Sequence, residues 1–426
     1  MKPLQKSPEA PKGRVGRFFA ILGPGLVTGA ADDDPSGIVT YSIAGAQLGT
    51  AMLWTALLTF PLMAAVQMMC ARIGMVTGTG LAEALRAKMP KWVLVIICLA
   101  LFAANTVNVG ADLDGMADVA NLLTGISPAI LVVGIGAIII FATIKFRYNL
   151  IASVLKWLAL SLFAYVITAF IVHPDWPKVA VATFLPSWPS GHAQWSMLVA
   201  ILGTTISPYL FFWQASQEVE IEKVRGQGTK ASRRGGDKQE LKDRALDVGV
   251  GALFSNLIMY FIILTTALTL HESGIVRLDS SKDAVRALAP LAGHFAALLY
   301  AIGLIGVGFL AIPTLAGSAA YAFAETFDLR QGLDEKLSRA RSFYGILVLS
   351  IILGVLFTYT SIKPMEALFL SSVINGLLAP FLLVGILLVA SDHVLMRNQP
   401  SSILARVAVG IAALGMFAAG IGIFLS

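Results

Sequence analysis

Residues 23–46 read GPGLVTGAADDDPSGIVTYSIAGA, and the fold turns on how this stretch is read. It is apolar and long enough to cross a bilayer, yet Asp32, Asp33 and Asp34 stand at its centre, followed by Pro35, Ser36 and Gly37. A charged side chain at the middle of a membrane helix costs roughly 3 kcal/mol or more and is rarely kept without a use. Pro35 removes a backbone donor and turns Asp34 away from helical geometry. Gly29 and Gly37 weaken the helix further. The span is predicted to unwind over residues 31–37 and to turn carbonyls and carboxylates into a protein-lined cavity, the one setting where irregular backbone is tolerated at membrane depth.

A second stretch behaves alike. Residues 200–220 read AILGTTISPYLFFWQASQEVE, with Pro208 near the middle after Gly203-Thr204-Thr205-Ile206-Ser207. Unwinding is predicted over 203–208. Pro208 alone could be an ordinary membrane kink. Two breaks at matching places in two halves are the sequence mark of a transporter site at the bilayer midplane.

The rest of the chain supplies the frame. Of 426 residues, 57% are hydrophobic and 13% charged, where soluble domains carry about 25% charged. Apolar runs of about 20 residues recur, so lipid is the solvent for most of the protein. Eleven spans are expected: 19–44, 50–71, 92–120, 128–144, 150–172, 195–217, 246–270, 292–324, 343–359, 364–390 and 403–425. With the N-terminus inside, 25 of the 31 Lys and Arg fall in cytoplasmic segments and 5 in external ones, and Lys156 lies in a span. That asymmetry obeys the positive-inside rule and puts the C-terminus outside. It also explains the net charge of +6 without nucleic acid as a partner; the surrounding partner is membrane lipid.

The expected organisation is a cytoplasmic tail (1–18), a first repeat of five spans (19–172), an external loop (173–194), a second repeat (195–390) and an added helix (403–426). This is an all-α polytopic membrane protein, a 5+5 inverted repeat with helices 1 and 6 broken. The basic tail and the aspartates behind it do not fit a cleavable signal. Residues 223–244 read as a flexible charged loop, and 79–88 as a short interfacial helix. Cys70 and Cys98 sit in apolar runs and imply no disulfide. The five histidines fall mostly in loops or near span ends.

Carboxylates, carbonyls and hydroxyls are hard donors that suit Mg²⁺, Mn²⁺ or Ca²⁺ better than copper or zinc. Candidate metal-contacting positions are Asp34, Ser207, Gly203, Ala31 and Gly37. Asp32, Asp33, Tyr209, Asp112, Ser372 and Asn375 are candidates for the substrate path or for supporting the site, and Pro35 and Pro208 make the breaks. Asn105, Asn108, Asp114 and Asp118 in the third span, with Gln214 and Glu218 beyond the second break, complete the polar set.

The early GPG, the Asp34-Pro35 break, Gly203-x-Thr-x-x-Pro, and Leu370-Ser371-Ser372-Val373 ahead of Ala379-Pro380-Phe381 together resemble the NRAMP family of divalent metal transporters. The resemblance covers nearly the whole chain and implies a LeuT-like fold with alternating access around one metal site. The family's Asp-Pro-Gly-Asn appears as Asp34-Pro35-Ser36-Gly37, so the Asn ligand is lost at Gly37. Its Met-Pro-His appears as Ser207-Pro208-Tyr209, which replaces the thioether ligand and the histidine linked to proton movement. Asp112 matches one of the family's acidic positions in the third span. Losing the soft ligand removes preference for Mn²⁺ or Fe²⁺ over hard ions. The pattern is similar to the NRAMP-related magnesium transporter branch and implies uptake of hydrated Mg²⁺, with Mn²⁺ as a second substrate and proton coupling in doubt.

An alternative within the same architecture is a transporter of a small anion or amino acid, with a cation travelling along. No HExxH, GxSxG or comparable motif supports a membrane enzyme, and the short termini offer no signalling domain for a metal sensor. No cofactor is expected, and oligomeric state is not legible.

Overall fold

The computed structural model describes residues 24–146, 158–227, 229–233, 235–278 and 280–426. The tail at 1–18, the first residues of span one, Arg147, Lys156 and the opening of span five lie outside them. Among the described residues every regular element is helical.

The first span is α1 (Pro24–Asp32) and α2 (Pro35–Leu48), two half-helices separated by Asp33 and Asp34. A 3₁₀ turn at Gly49–Met52 leads into α3 (Leu53–Thr77). Then come α4 (Leu81–Arg86), α5 (Lys91–Thr124), α6 (Pro128–Lys145) and α7 (Phe163–Ile171). A short α8 (Trp176–Phe184) occupies part of the expected external loop. The sixth span is again two halves, α9 (His192–Thr205) and α10 (Pro208–Val224). There follow α11 (Lys238–Thr266), α12 (Ala296–Thr326), α13 (Arg341–Phe357), α14 (Pro364–Ala390) and α15 (Ile403–Leu425). Eight of the described helical runs are long and apolar enough to cross a membrane; the first, Pro35–Thr77, holds α2 and α3 together. Shorter apolar helices at Leu160–Ile171 and Arg341–Phe357 stand where the fifth and ninth spans are expected.

Each break is narrower than the sequence suggests. Only Asp33 and Asp34 interrupt the first span, and only Ile206 and Ser207 the second. A proline at the first helical position is already shaped for the helix it begins, so Pro35 and Pro208 restart the chain at once. Gly37 and Gly203 therefore lie inside helices.

Two further expectations are corrected. Residues 238–244 of the supposed loop form the first turns of α11, and Arg233 is buried with Nε donating to the Gly78 carbonyl. The 79–88 helix is packed inward: Leu81, Ala82, Ala84 and Leu85 are buried, and the Glu325 carboxylate accepts from Ala82 N at 2.9 Å.

The Lys/Arg-rich segments meet at one end of the bundle, where Arg86 pairs with Asp328, Lys230 with Glu83, Lys88 with Asp392 and Arg225 with Glu240. At the opposite end His271, closing a π-helical turn after α11, holds the Ala46 carbonyl at 2.9 Å, and His192 lies 3.1 Å from the Ile423 carbonyl. The breaks lie between two apolar clusters. Ala31, Ile38 and Tyr209 belong to one, and Ile206, Phe211 and Phe212 to the other. The outer helices instead turn apolar side chains outward, as lipid-facing surfaces do; Phe141 of α6 and Leu414 of α15 are examples.

Half-helix α1 crosses α11 with no side chain between them. A Cβ on Gly29 would collide with the Gly251 backbone, and one on Gly25 with Val248 N at 2.6 Å. Small residues permit this backbone approach in membrane bundles. Replacing Gly29 by Val forces α1 off α11, and overpacking of this kind costs about 1–3 kcal/mol. Gly134 of α6 has open space around it. Thermal unfolding in detergent is expected to show a lower midpoint for Gly29→Val and an equal or higher one for Gly134→Ala. Equal midpoints for Gly29→Val and the unaltered protein would contradict the tight crossing.

Candidate functional site

Asp34 organises the first break. It is the N-cap of α2, with extended backbone (φ −64°, ψ 169°), and its Oδ1 accepts from Gly37 N at 2.7 Å and from Ser36 Oγ at 2.8 Å. Its Oδ2 accepts from Asn108 Nδ2 of α5 at 3.0 Å. Ser207 holds the equivalent place before α10, but its hydroxyl turns back on the Gly203 carbonyl (2.6 Å) and the Thr204 carbonyl (3.0 Å).

The four half-helices converge in pairs. Tyr209 at the start of α10 donates its hydroxyl to the Ala31 carbonyl at the end of α1, 2.9 Å away. Tyr41 of α2 bonds Thr205 at the end of α9 at 3.1 Å. Gly37 lies so close to α9 that a Cβ would stand 3.0 Å from Thr204 Oγ1. On the other flank Gly203 packs against the backbone of α14 at Ser372 and Gly376. Ser372 Oγ accepts from Thr40 Oγ1 at 2.9 Å, and Ser371 Oγ donates to Asn108 Oδ1 at 2.6 Å. Two helix C-termini, their partial negative charges aimed at the breaks, and the buried carboxyl of Asp34 thus meet in one region.

The other candidates fall into place around this centre. Asp32 and Asp33 are fully buried and share one donor, Ser255 of α11, at 2.6 and 3.1 Å. They tie the end of α1 to α11. Asp112, one turn beyond Asn108 on α5, is fully buried, and neither of its oxygens has a hydrogen-bond partner among the described residues. Asn375 is buried, and its Oδ1 has no hydrogen-bond partner among the described residues. Asp118 instead accepts from Ser281 N at the end away from the basic loops, remote from the breaks along α5. Asn108 carries more of the geometry than its place in a list of third-span polar residues suggests. The signal was its i, i+4 spacing to Asp112, which puts both on one helix face.

The basic end is shut by a polar chain. Asp247 of α11 accepts from Gly25 N (2.8 Å) and Leu26 N (3.0 Å), capping α1. Arg244 bridges Asp247 (2.5 Å) and Glu218 of α10 (2.7 Å). Gln214 then links Glu218 to Thr28 of α1, at 2.8 and 2.7 Å. At the opposite end lies a cavity of about 600 Å³, lined by Ile43, Gln47, Ser196, Met365, Glu366 and Phe369 among others. The Thr40–Ser372 bond sits one turn deeper than Ile43 and Phe369, between this cavity and Asp34.

No ion pair joins Asp32, Asp33, Asp34 or Asp112 to a basic side chain among the described residues. Buried carboxylates without counter-ions attract a cation. Among the described residues no three His, Cys, Asp or Glu side chains converge as they do in a closed metal cage. The donors are few carboxylates amid neutral oxygens, the chemistry of hard cations that keep part of their water.

Removing Arg244 leaves Glu218 and Asp247 buried with their shared cation gone, and breaking such a pair costs about 3–5 kcal/mol. Arg244→Met is expected to lower the unfolding midpoint strongly. Adding Glu218→Gln to it should recover part of the loss, since one uncompensated charge disappears. A double variant no more stable than the single one would count against the bridge.

Residues 25–426 match the family described as natural resistance-associated macrophage protein-like, Nramp. The chain is 26% identical over 417 residues to the divalent metal cation transporter MntH of Caldanaerobacter subterraneus subsp. tengcongensis, covering 96% of this chain and 94% of that one. It is 27% identical over 424 residues to MntH of Mesorhizobium japonicum, covering 96% and 88%. Its fold resembles that of the Eremococcus coleocola manganese transporter in complex with an aromatic bis-isothiourea substituted compound (TM-score 0.77, 19% identity, 97% and 88% covered). It also resembles Mhp1, a nucleobase-cation-symport-1 family transporter (TM-score 0.58, 15% identity, 94% and 92% covered). The architecture is the LeuT-like one, with two broken helices at its centre. A match that spans the bundle from α1 to α15 settles the kinship: the chain is a member of the Nramp family.

Proposed function

We propose that this protein carries a hard divalent cation, Mg²⁺ foremost and Mn²⁺ as a second substrate, across the membrane by alternating access at the Asp34 break. The observation that carries the reading is Asp34 itself. It is a buried carboxylate between four half-helix ends, with no basic partner among the described residues and with oxygen donors around it. Divalent metal transport is what the names of the MntH relatives state for those proteins. Preference for Mg²⁺ rests on the donor set: Ser207 and Gly37 offer no thioether and no amide, and Mg²⁺ keeps several waters when bound.

Uptake is driven by the membrane potential, which supplies about 2.3 kcal/mol per charge per 100 mV, or about 4.6 kcal/mol for a divalent ion. Proton coupling is not part of the proposal, because Tyr209 stands where a histidine would carry the proton. The basic end faces the cytoplasm of a bacterial inner membrane, in line with the positive-inside rule. The 600 Å³ cavity then opens outside, and the Arg244 chain closes the inside. Opening inward requires α1 to leave α10 and α11.

The test is ion entry into liposomes at set potentials, followed with Mg²⁺ and Mn²⁺ dyes and a lumenal pH dye. Mg²⁺ entry without acidification, abolished by Asp34→Ala, is the expected result. Entry of Mn²⁺ alone, accompanied by protons, would keep metal transport and reject the Mg²⁺ and uncoupled parts. A current that requires a small anion or amino acid rather than the metal would favour that other class of substrate.

A further inference from the structure

Asp34 has one oxygen committed and one free to change partners. Oδ1 is held by Gly37 N and Ser36 Oγ, both within the cap of α2. Among the described residues Oδ2 accepts from the amide nitrogen of Asn108 at 3.0 Å. The other end of that amide, Oδ1, accepts from Ser371 Oγ at 2.6 Å, and the same hydroxyl lies 2.8 Å from the Leu368 carbonyl. A hydroxyl has one proton and two lone pairs. Ser371 therefore serves Asn108 or Leu368 as donor, but not both together.

We propose that Asn108 is a ligand of the transported cation, brought into play by a half-turn of its amide. The inference rests on the cation-transport reading above and deepens it. As the structure stands, Nδ2 faces Asp34 and the amide is a donor that neutralises part of the carboxylate's need. Turned by 180°, the amide presents Oδ1 to Asp34 and Nδ2 to Ser371. Ser371 then accepts from Nδ2 and gives its proton to the Leu368 carbonyl. Each donor paired in the present arrangement finds an acceptor in the turned one.

What changes is the space between α5 and α2. Asp34 Oδ2 and Asn108 Oδ1 become two acceptors about as far apart as the present 3.0 Å contact. Two bare oxygens at that distance repel each other. Two adjacent ligands of an octahedral ion with bonds of about 2.1 Å also stand about 3 Å apart. The turned amide is thus unfavourable without a cation and fits a small hard one. Binding also moves the Ser371 proton from Asn108 to Leu368, so site occupancy alters the bond between α5 and α14. Asn108 is fully buried, which keeps bulk water from substituting for its amide.

The experiment compares Mg²⁺ uptake by the unaltered protein, Asn108→Leu and Asn108→Asp in liposomes, with thermal unfolding to confirm folded protein. Leu keeps the size and removes the oxygen; Asp keeps an oxygen and removes the N–H. Loss of a group that merely orders a metal ligand costs about 10–100-fold in affinity, so KM for Asn108→Leu, which removes a ligand, should rise by at least about 10-fold. Asn108→Asp, which keeps an oxygen toward Asp34, should lose much less than Asn108→Leu. An unchanged KM in Asn108→Leu overturns the proposal. Equal loss in both variants also overturns it, because the amide would then matter only as a donor to Asp34.

Infrared difference spectra of the unaltered protein, labelled with ¹³C-asparagine and recorded with and without Mg²⁺, give a readout independent of the variants' folding. A metal-induced shift of a side-chain carbonyl band, missing in Asn108→Asp, is expected, and its absence in the unaltered protein refutes the ligand role. If the unaltered protein admits no metal at any potential, the transport reading itself fails and this proposal with it.

Discussion

A carboxylate cannot sit at the middle of a bilayer without donors, and Asp34 obtains them from the break it creates. Unwinding one residue pair exposes the first N–H groups of α2, and Asp34 accepts from one of them while Ser36 and Asn108 supply the rest. The break and the charge thus stabilise each other: without the break there are no free N–H groups, and without the carboxylate they would be unsatisfied. The N-terminal dipole of α2 adds to the same effect. The position of α5, and through Ser371 that of α14, follows from where the third donor must stand.

The remaining carboxylates solve the same problem by other means. Asp32 and Asp33 divide one hydroxyl of α11 between them, and Asp247 takes the capping N–H groups of α1 with Arg244 as counter-ion. Half-helix α1 is therefore held by polar contacts at both ends and by glycine packing between. Such contacts are directional, so a small tilt of α1 would break several at once. On its other side α2 is held by two hydroxyl pairs, Thr40–Ser372 and Tyr41–Thr205, and by His271 on the Ala46 carbonyl. The two ends of the broken helix are thus secured by different chemistry, ionic on the basic side and neutral on the other.

Reading Ala31, Gly203 and Ser207 as cation contacts meets a competing local use of the same atoms. The Ala31 carbonyl takes the Tyr209 hydroxyl, and Gly203 takes Ser207. Both arise because a freed carbonyl in an apolar setting accepts the first hydroxyl within reach. Sequence spacing identified which carbonyls would be freed. It had no means of identifying which hydroxyl from a distant segment would arrive there, since Tyr209 lies 178 positions from Ala31.

The sequence by itself determined the apolar helical character of the chain, the two breaks and the acidic character of the first. These depend on local quantities: hydropathy over a span's length, proline's missing donor, and the cost of a charge in lipid. It also carried the family pattern through Asp34-Pro35 and the second break. Only the tertiary structure decided that Asn108 and not a first-span residue stands against Asp34 Oδ2, that Arg244 lies in a buried bridge instead of a loop, and that Asp32 and Asp33 bind α11. The contacts of Asn108 and Asp32 join residues 74 and 223 positions apart, and the Arg244 bridge turns on how α10 and α11 meet. Side-chain partners at such separations are set by packing between helices, which no local propensity encodes.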